Sequence, residues 1–100
     1  MSESLKSIFL NSGGPAGLII KNKTFSNEQI KVEFIDCCEF VKVNFLNCFF
    51  DECEFLGAGF SDCDFTNCQF IESKLTPKAH FFQTSFSNCL FLMVNLRDSL

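Results

Sequence analysis

The sequence contains no tryptophan and no tyrosine, although it contains fifteen phenylalanines among its 100 residues. Phenylalanine adds apolar area without a polar group that needs a hydrogen-bond partner. We therefore expect most of these rings to lie in a dry interior. A chain of this length forms one domain and buries only about two-thirds of its unfolded surface, so that interior must be packed efficiently.

Basic residues are also scarce, since eight lysines and arginines stand against twelve acidic residues and give a net charge of −4. Nucleic-acid binding usually needs Lys and Arg to meet the phosphates, so a nucleic-acid partner is not expected. No apolar run approaches the roughly 20 residues of a membrane span. The N-terminal residues MSESLKSIFL lack the charged start and long apolar stretch of a signal peptide. These absences predict a cytoplasmic protein without a membrane partner.

Side chains suited to catalysis or metal binding are few. His80 is the only histidine, and no CxxC motif occurs, whereas zinc sites usually contain closely spaced Cys or His pairs. No Ser or Cys nucleophile accompanies His80 and an acid in a recognisable pattern. The seven cysteines are odd in number, and disulfides are rare in the cytosol. We therefore expect free thiols, no cofactor, no metal site and no enzymatic activity.

A five-residue spacing dominates the middle of the chain. In NFLNCFFDECEFLGAGFSDCDFTNCQF, phenylalanine occupies every fifth position from Phe45 to Phe70. This spacing fits neither the 3.6-residue period of a helix nor the two-residue period of a strand. The pattern resumes at Phe81 after a one-residue slip in TPKAHF. The residue two positions before each of the six phenylalanines is small: Val43, Cys48, Cys53, Ala58, Cys63 and Cys68.

The pattern resembles the pentapeptide-repeat family, whose units read roughly A-(D/N)-(L/F)-x-x and commonly carry Cys in place of Ala. The resemblance covers residues 36–98. It implies an all-β fold, a right-handed, four-sided parallel β-helix in which four five-residue units make one coil. About three regular coils are expected. In each unit the central residue and the small residue two positions earlier would point inward.

When the sequence is divided into coils of twenty residues, with one additional residue at the slip in TPKAHF, it predicts four stacked columns of inward residues. Neighbouring coils lie about 4.8 Å apart, so each ring should stack on the next. Small residues would stack as Cys48/Cys68/Cys89, and Asn47/Asn67/Asn88 would form a hydrogen-bonded ladder outside. The predicted columns are Phe40/Phe60/Phe81, Phe45/Phe65/Phe86, Phe50/Phe70/Phe91 and Phe55/Leu75/Leu96.

The N-terminal third departs from this pattern. If the five-residue spacing is continued toward the N-terminus, Lys23, Glu28 and Glu33 fall at the inward positions that hold a small residue elsewhere. Unpaired charges are costly in a dry core. The sequence therefore predicts a regular helix over residues 35–98 and a non-repeat cap over residues 1–34. Within the cap we expect a short helix with Ser2 or Ser4 as N-cap and a loop at NSGGPAG. A strand in IKVEF should pair over the first coil.

The last coil carries outward apolar residues, and few residues follow it. An uncovered end presents unpaired backbone groups that can pair with another chain. This pattern predicts a homodimer joined through the C-terminal end, while a monomer whose tail folds back is the alternative. The expected interface residues are Phe82, Leu90, Leu92, Met93 and Leu96.

Acidic residues are concentrated in residues 36–72, which contain eight acids and one base. On a convex surface without a pocket they do not suit acid–base catalysis. One interpretation is a solvated face that maintains solubility, and the other is a binding surface for a basic protein. That surface would comprise Asp51, Glu52, Glu54, Asp62, Asp64 and Glu72. Cys37 is the one cysteine expected to point outward.

Three functions remain open at this point. The first is a non-enzymatic protein–protein interaction module that uses the outer faces of the β-helix. The second, implied by the resemblance, is an acidic DNA mimic that binds a type II topoisomerase. The third is an immunity or toxin-neutralising protein whose acidic face covers the site of a basic toxin.

Overall fold

The computed structural model describes residues 4–31, 34–74, 79–92 and 94, in which one short helix precedes a series of three-residue strands. Helix α1 spans Leu5–Asn11. No helix in these ranges is long and apolar enough to cross a membrane. The strands are β1 (Ile19–Lys21), β2 (Thr24–Ser26), β3 (Gln29–Lys31), β4 (Glu39–Val41), β5 (Asn44–Leu46), β6 (Phe49–Asp51), β7 (Gly59–Ser61), β8 (Asp64–Thr66), β9 (Gln69–Ile71), β10 (His80–Phe82), β11 (Ser85–Ser87) and β12 (Leu90–Leu92).

The strands stack in three parallel sheets that form three faces of a four-sided β-helix. The first face contains β1, β4, β7 and β10, the second β2, β5, β8 and β11, and the third β3, β6, β9 and β12. The fourth face is marked by parallel bridges that join Phe34 to Glu54 and Glu54 to Lys74. This arrangement confirms the predicted parallel β-helix: β4–β12 form the three regular coils expected, and β1–β3 form a coil before them.

The chain turns at the corners through residues in the left-handed backbone region, with φ between 48° and 58° at the non-glycine positions. Asparagine tolerates this region better than most residues, and it occupies five of these positions: Asn22, Asn27, Asn47, Asn67 and Asn88. The corner N–H of Asn47 donates to the Thr66 carbonyl of the next coil at 2.9 Å. The Asn88 side chain donates to Asn67 Oδ1 at 2.6 Å, as expected for the outer ladder.

Stacked phenylalanine rings fill the interior, as the five-residue spacing predicts. The Phe40 and Phe60 rings are parallel within 2°, with centroids 4.8 Å apart. The centroid distances are similar in Phe45–Phe65 (4.6 Å), Phe50–Phe70 (4.8 Å), Phe60–Phe81 (5.1 Å), Phe65–Phe86 (4.9 Å) and Phe70–Phe91 (4.9 Å). Three predicted columns are therefore confirmed. In the fourth column, Phe55 is buried, while Leu75 and Leu96 lie outside the described residues.

The one-residue slip is visible in the strand registers. Gly59 pairs with Glu39, twenty residues earlier, but with His80, twenty-one residues later. Since Lys74 still pairs at the twenty-residue spacing, the additional residue lies between Lys74 and His80. The inward rings before and after this additional residue, Phe60 and Phe81, nevertheless stack in one column.

The β-helix begins at β1, so the boundary predicted near Ile35 was placed too late. Ile20, Phe25 and Ile30 pair with Phe40, Phe45 and Phe50 in the next coil and are at most 4% exposed. Lys23 and Glu28 were expected to exclude such a coil because their charges would lie in its core. They do not lie there, since Lys23 is exposed and Glu28 is half-buried. The first coil has a neighbouring coil on one side only, so these side chains can turn toward the open side.

Helix α1 covers that side of the first coil. Its N-cap is Ser4, whose Oγ accepts from the Ser7 N–H at 3.1 Å, and its buried residues Leu5, Ile8 and Phe9 join the same core as the rings. Glu28 Oε1 accepts a hydrogen bond from the Leu5 N–H at 3.0 Å. Burial raises the pKa of the Glu28 carboxyl, and this hydrogen bond lowers it. The short helix expected near the N-terminus is therefore present with Ser4 as its N-cap, while the alternative N-cap, Ser2, lies outside the described residues.

The segment IKVEF pairs over the next coil but does not alternate along one strand. Ile30 is buried within β3, whereas Phe34 is 58% exposed on the fourth face. The spacing of apolar residues suggested one continuous strand because an apolar alternation does not show on which face of a β-helix each residue lies. Val32 and Glu33 lie outside the described residues.

Truncation of one inner ring should destabilise the protein strongly. Phe65→Ala removes a ring that is stacked on both sides and 1% exposed, which should cost about 3–5 kcal/mol. Phe82→Ala provides the control, because this ring is 62% exposed and its loss should cost no more than about 0.5 kcal/mol. Urea unfolding measures both values. Equal losses of stability would contradict the stacked interior.

Candidate functional site

The acidic residues that the sequence grouped together fall into two separate sets around the β-helix. Asp51 ends β6 on the third face, and Glu52 and Glu72 occupy the corner that leads to the fourth face, where Glu54 lies. We call these four residues the acidic corner. Asp62 occupies the corner between the first and second faces, and Asp64 begins β8 on the second face. Since that corner is diagonally opposite, a single flat ligand cannot contact all six residues.

Three carboxylates converge at the acidic corner. One oxygen from each of Asp51, Glu52 and Glu72 lies within 4.8 Å of the other two. Glu52 and Glu72 also adopt φ values of 55° and 48°, a conformation that costs a residue other than glycine about 1 kcal/mol or more. Like charges at this separation repel each other. A ligand with positive charge would relieve that repulsion.

Nearby lysines neutralise this corner only in part. Lys31 precedes Asp51 by one coil in the same column of the third face, and Lys74 follows Glu54 on the fourth face. Within the described ranges, no hydrogen bond or ion pair engages the carboxylates of Asp51, Glu52 and Glu72. By contrast, Asp64 Oδ1 accepts from the Ser85 hydroxyl, and Asp36 Oδ1 accepts from the Leu56 N–H at 3.0 Å. These two acids have structural partners, whereas the acidic corner faces solvent.

The cysteines lie in the small inward positions, with Cys37 as the exposed exception that the sequence predicted. The cysteines of the described ranges form no disulfide. Cys63 Sγ lies 3.4 Å from the Phe40 carbonyl of the preceding coil, and Cys68 Sγ lies 3.3 Å from that of Phe45. Ser73 and Thr84 place their hydroxyls in the same way, on Phe50 and Phe60. The thiols therefore act as weak hydrogen-bond donors between coils, which the sequence analysis missed.

The buried thiols are poorly suited to nucleophilic chemistry, because the thiolate is the reactive form. Burial raises the pKa of Cys38 to about 12, with a smaller contribution from the negative charge of Glu39. Burial likewise raises the pKa of Cys63 and of Cys89. Together with the exposed position of His80 at the start of β10, these shifts give no support to a catalytic role for the cysteines.

The residues predicted to join two copies do not lie on one surface. Phe82 lies on the first face, and Leu90 and Leu92 lie on the third face. Their side chains are 62%, 50% and 49% exposed, respectively. Met93 and Leu96 lie outside the described residues. The three described members of the predicted interface thus lie on side faces of the β-helix.

The C-terminal end of the described β-helix is formed by inward residues of the last coil. The rings of Phe81, Phe86 and Phe91 each stack on one neighbour at 4.9–5.1 Å and are half-buried. The sequence carried the signal for this surface, because the five-residue spacing identifies these rings as inward, and among the described residues their coil has a neighbouring coil on one side only. They were not among the predicted interface residues, which were chosen as outward apolar side chains.

Comparisons with known proteins support the assignment of the repeat. Residues 38–76 match the family model of pentapeptide repeats, in eight copies. A comparison with curated proteins gives no match.

Proposed function

Because this chain belongs to the pentapeptide-repeat family, we propose that it is a non-enzymatic, cytoplasmic module for protein–protein interaction. The interior is filled by rings stacked at 4.6–5.5 Å, a packing that excludes a ligand. Recognition is therefore assigned to the outer faces. The observation that carries this proposal is the convergence of three solvent-facing carboxylates at the acidic corner.

The chemistry of the acidic corner favours a basic partner protein. Lysine or arginine side chains of a partner would be attracted to Asp51, Glu52 and Glu72 and would speed its approach. Glu54 would extend this surface onto the fourth face. A basic toxin that is neutralised by this protein is one partner of this kind.

The dimensions of the β-helix favour such a partner over a topoisomerase that recognises DNA-like charge. Four stacked strands span about 14 Å at a spacing of about 4.8 Å, which corresponds to roughly four base pairs of duplex DNA. The acidic residues also divide between two diagonal corners, and Lys31 and Lys74 interrupt the columns at the acidic corner. The described β-helix therefore does not present the long, uniformly negative surface that would imitate duplex DNA.

Removal of charge at the acidic corner should weaken partner binding. The immobilised protein should retain a stoichiometric basic protein from an extract of its native host, and Glu52→Gln with Glu72→Gln should reduce the retained amount at least about fivefold. The matched control is Glu39→Gln with Asp62→Asn, which removes two exposed charges elsewhere. If no basic protein is retained, or if both pairs of substitutions act equally, the proposal is wrong.

We also propose that two copies associate through the C-terminal end of the β-helix. The half-buried rings of Phe81, Phe86 and Phe91 would stack on a second copy and bury their free faces. Residues 79–92 contain no Asp, Glu, Lys or Arg, so a two-fold contact of this coil with itself brings no like charges together. The edge strands also offer backbone groups to an incoming chain.

Charges placed on the end coil should separate the dimer. Light scattering should give the mass of two chains for the natural protein, and Gln83→Lys with Asn88→Lys should give the mass of one chain. Both positions are corners with positive φ, as is Lys42, so lysine is compatible with the fold. The control is Asn22→Lys with Asn27→Lys, the corresponding corners of the first coil, which should remain dimeric. A monomeric natural protein would refute this association.

A further inference from the structure

The third face of the β-helix carries an aliphatic patch next to the acidic corner. Leu90 and Leu92 point outward from β12, and Ile71 points outward from β9. We call these three residues the aliphatic patch. Leu90 and Leu92 are 50% and 49% exposed, and Ile71 is half-buried.

The strand registers place this patch next to the acidic corner. One column of the third face runs through Lys31, Asp51, Ile71 and Leu92. The acidic and aliphatic residues in this column are therefore one coil apart, about 4.8 Å. Glu72 follows Ile71 directly in the chain, so the acidic corner borders the patch along the strands as well as between the coils.

Among the other exposed apolar side chains of the described ranges, Phe34 also borders the acidic corner, but it lies in a column with Glu54 and Lys74 and not with further aliphatic residues. The remaining ones lie on other faces. Phe82 follows Ser61 in its column of the first face, and Leu46 precedes Thr66 on the second face. An apolar centre bordered by charged residues is the arrangement found at protein interfaces. The third face is thus distinguished by its chemistry as well as by its exposed area.

We propose that the aliphatic patch and the acidic corner together bind a basic amphipathic helix of a partner protein. The inference rests on the proposed function and specifies the surface and the type of partner. The apolar stripe of such a helix would lie over Leu90 and Leu92, parallel to the strands. Its basic stripe would lie over Asp51, Glu52 and Glu72.

The dimensions of the two surfaces are complementary. Side chains at positions i and i+4 of a helix lie about 6 Å apart along its axis, which is close to the separation of two same-face residues in a strand. The carboxylates lie about one to two coils from the leucines, or roughly 5–10 Å. A helix about 10 Å in diameter therefore spans both sets of residues.

Charge complementarity excludes the other occupants of this face. An anionic membrane surface would be repelled by the carboxylates. The third face of a second copy would bring a second set of carboxylates toward the first. The dimer contact proposed above uses the end rings and leaves this side face open.

A synthetic helix tests the inference directly. The probe is a labelled peptide of about 15 residues with leucine at i, i+3 and i+4 spacing and lysine beside the leucine stripe, and its control is a peptide of the same composition in scrambled order. Fluorescence anisotropy should show tighter binding of the amphipathic peptide, by roughly tenfold. The affinity should fall as salt is added, because ion pairs contribute to it.

Matched substitutions locate the binding surface. Leu90→Ser with Leu92→Ser should weaken peptide binding roughly tenfold, while Leu46→Ser with Phe82→Ser, two exposed apolar residues on other faces, should leave it unchanged. Glu52→Gln with Glu72→Gln should remove most of the salt dependence. Thermal unfolding of each variant checks that the fold is retained.

Two results would overturn the inference. The first is equal binding of both peptides, or equal losses in the two pairs of apolar variants, because binding would then be general electrostatic attraction. The second is no peptide binding although the acidic corner still retains a basic protein from the host extract, which would refute the aliphatic patch and leave the proposed function standing. If the amphipathic peptide does not bind and no basic protein is retained from the host extract, the proposed function is refuted as well.

Discussion

Stacking of phenylalanine rings between successive coils is the interaction that organises this molecule. The spacing of parallel strands, about 4.8 Å, is also close to the distance at which offset aromatic rings attract each other. The centroids of stacked rings in the inner columns accordingly lie 4.6–5.5 Å apart. Rings on adjacent faces meet edge to face, as Phe45 and Phe50 do at 5.7 Å. One repeated side chain therefore satisfies the packing along the axis and across it.

This interior leaves the outer faces as the variable part of the protein. The inward positions need a ring and a small residue, and the corners need a residue that tolerates positive φ, but the remaining outward positions are free of these constraints. The aliphatic patch and the acidic residues Asp51 and Glu54 lie at such unconstrained outward positions. Glu52 and Glu72 differ, because they occupy corners with positive φ.

The sequence predicted the interior well because a five-residue period specifies which side chains point inward. It placed the N-terminal boundary wrongly because Lys23 and Glu28 were treated as enclosed, whereas the first coil has a neighbour on one side only. It grouped Asp62 and Asp64 with the acidic corner because a count of charges along the chain does not distinguish one corner from the opposite one. The hydrogen bonds of the thiols were missed for a different reason, since their acceptors are carbonyls of the preceding coil.

Thiol accessibility in the native protein tests the inward assignment most directly, because Cys37 and Cys38 are adjacent in the chain but point in opposite directions. The measurement is the rate at which each thiol is alkylated near neutral pH, followed by mass spectrometry of the individual cysteines. The account predicts fast alkylation of Cys37, slower alkylation of half-buried Cys89, and protection of Cys38, Cys48, Cys53, Cys63 and Cys68 until the protein unfolds. Equal rates for Cys37 and Cys38 in the folded protein would contradict it.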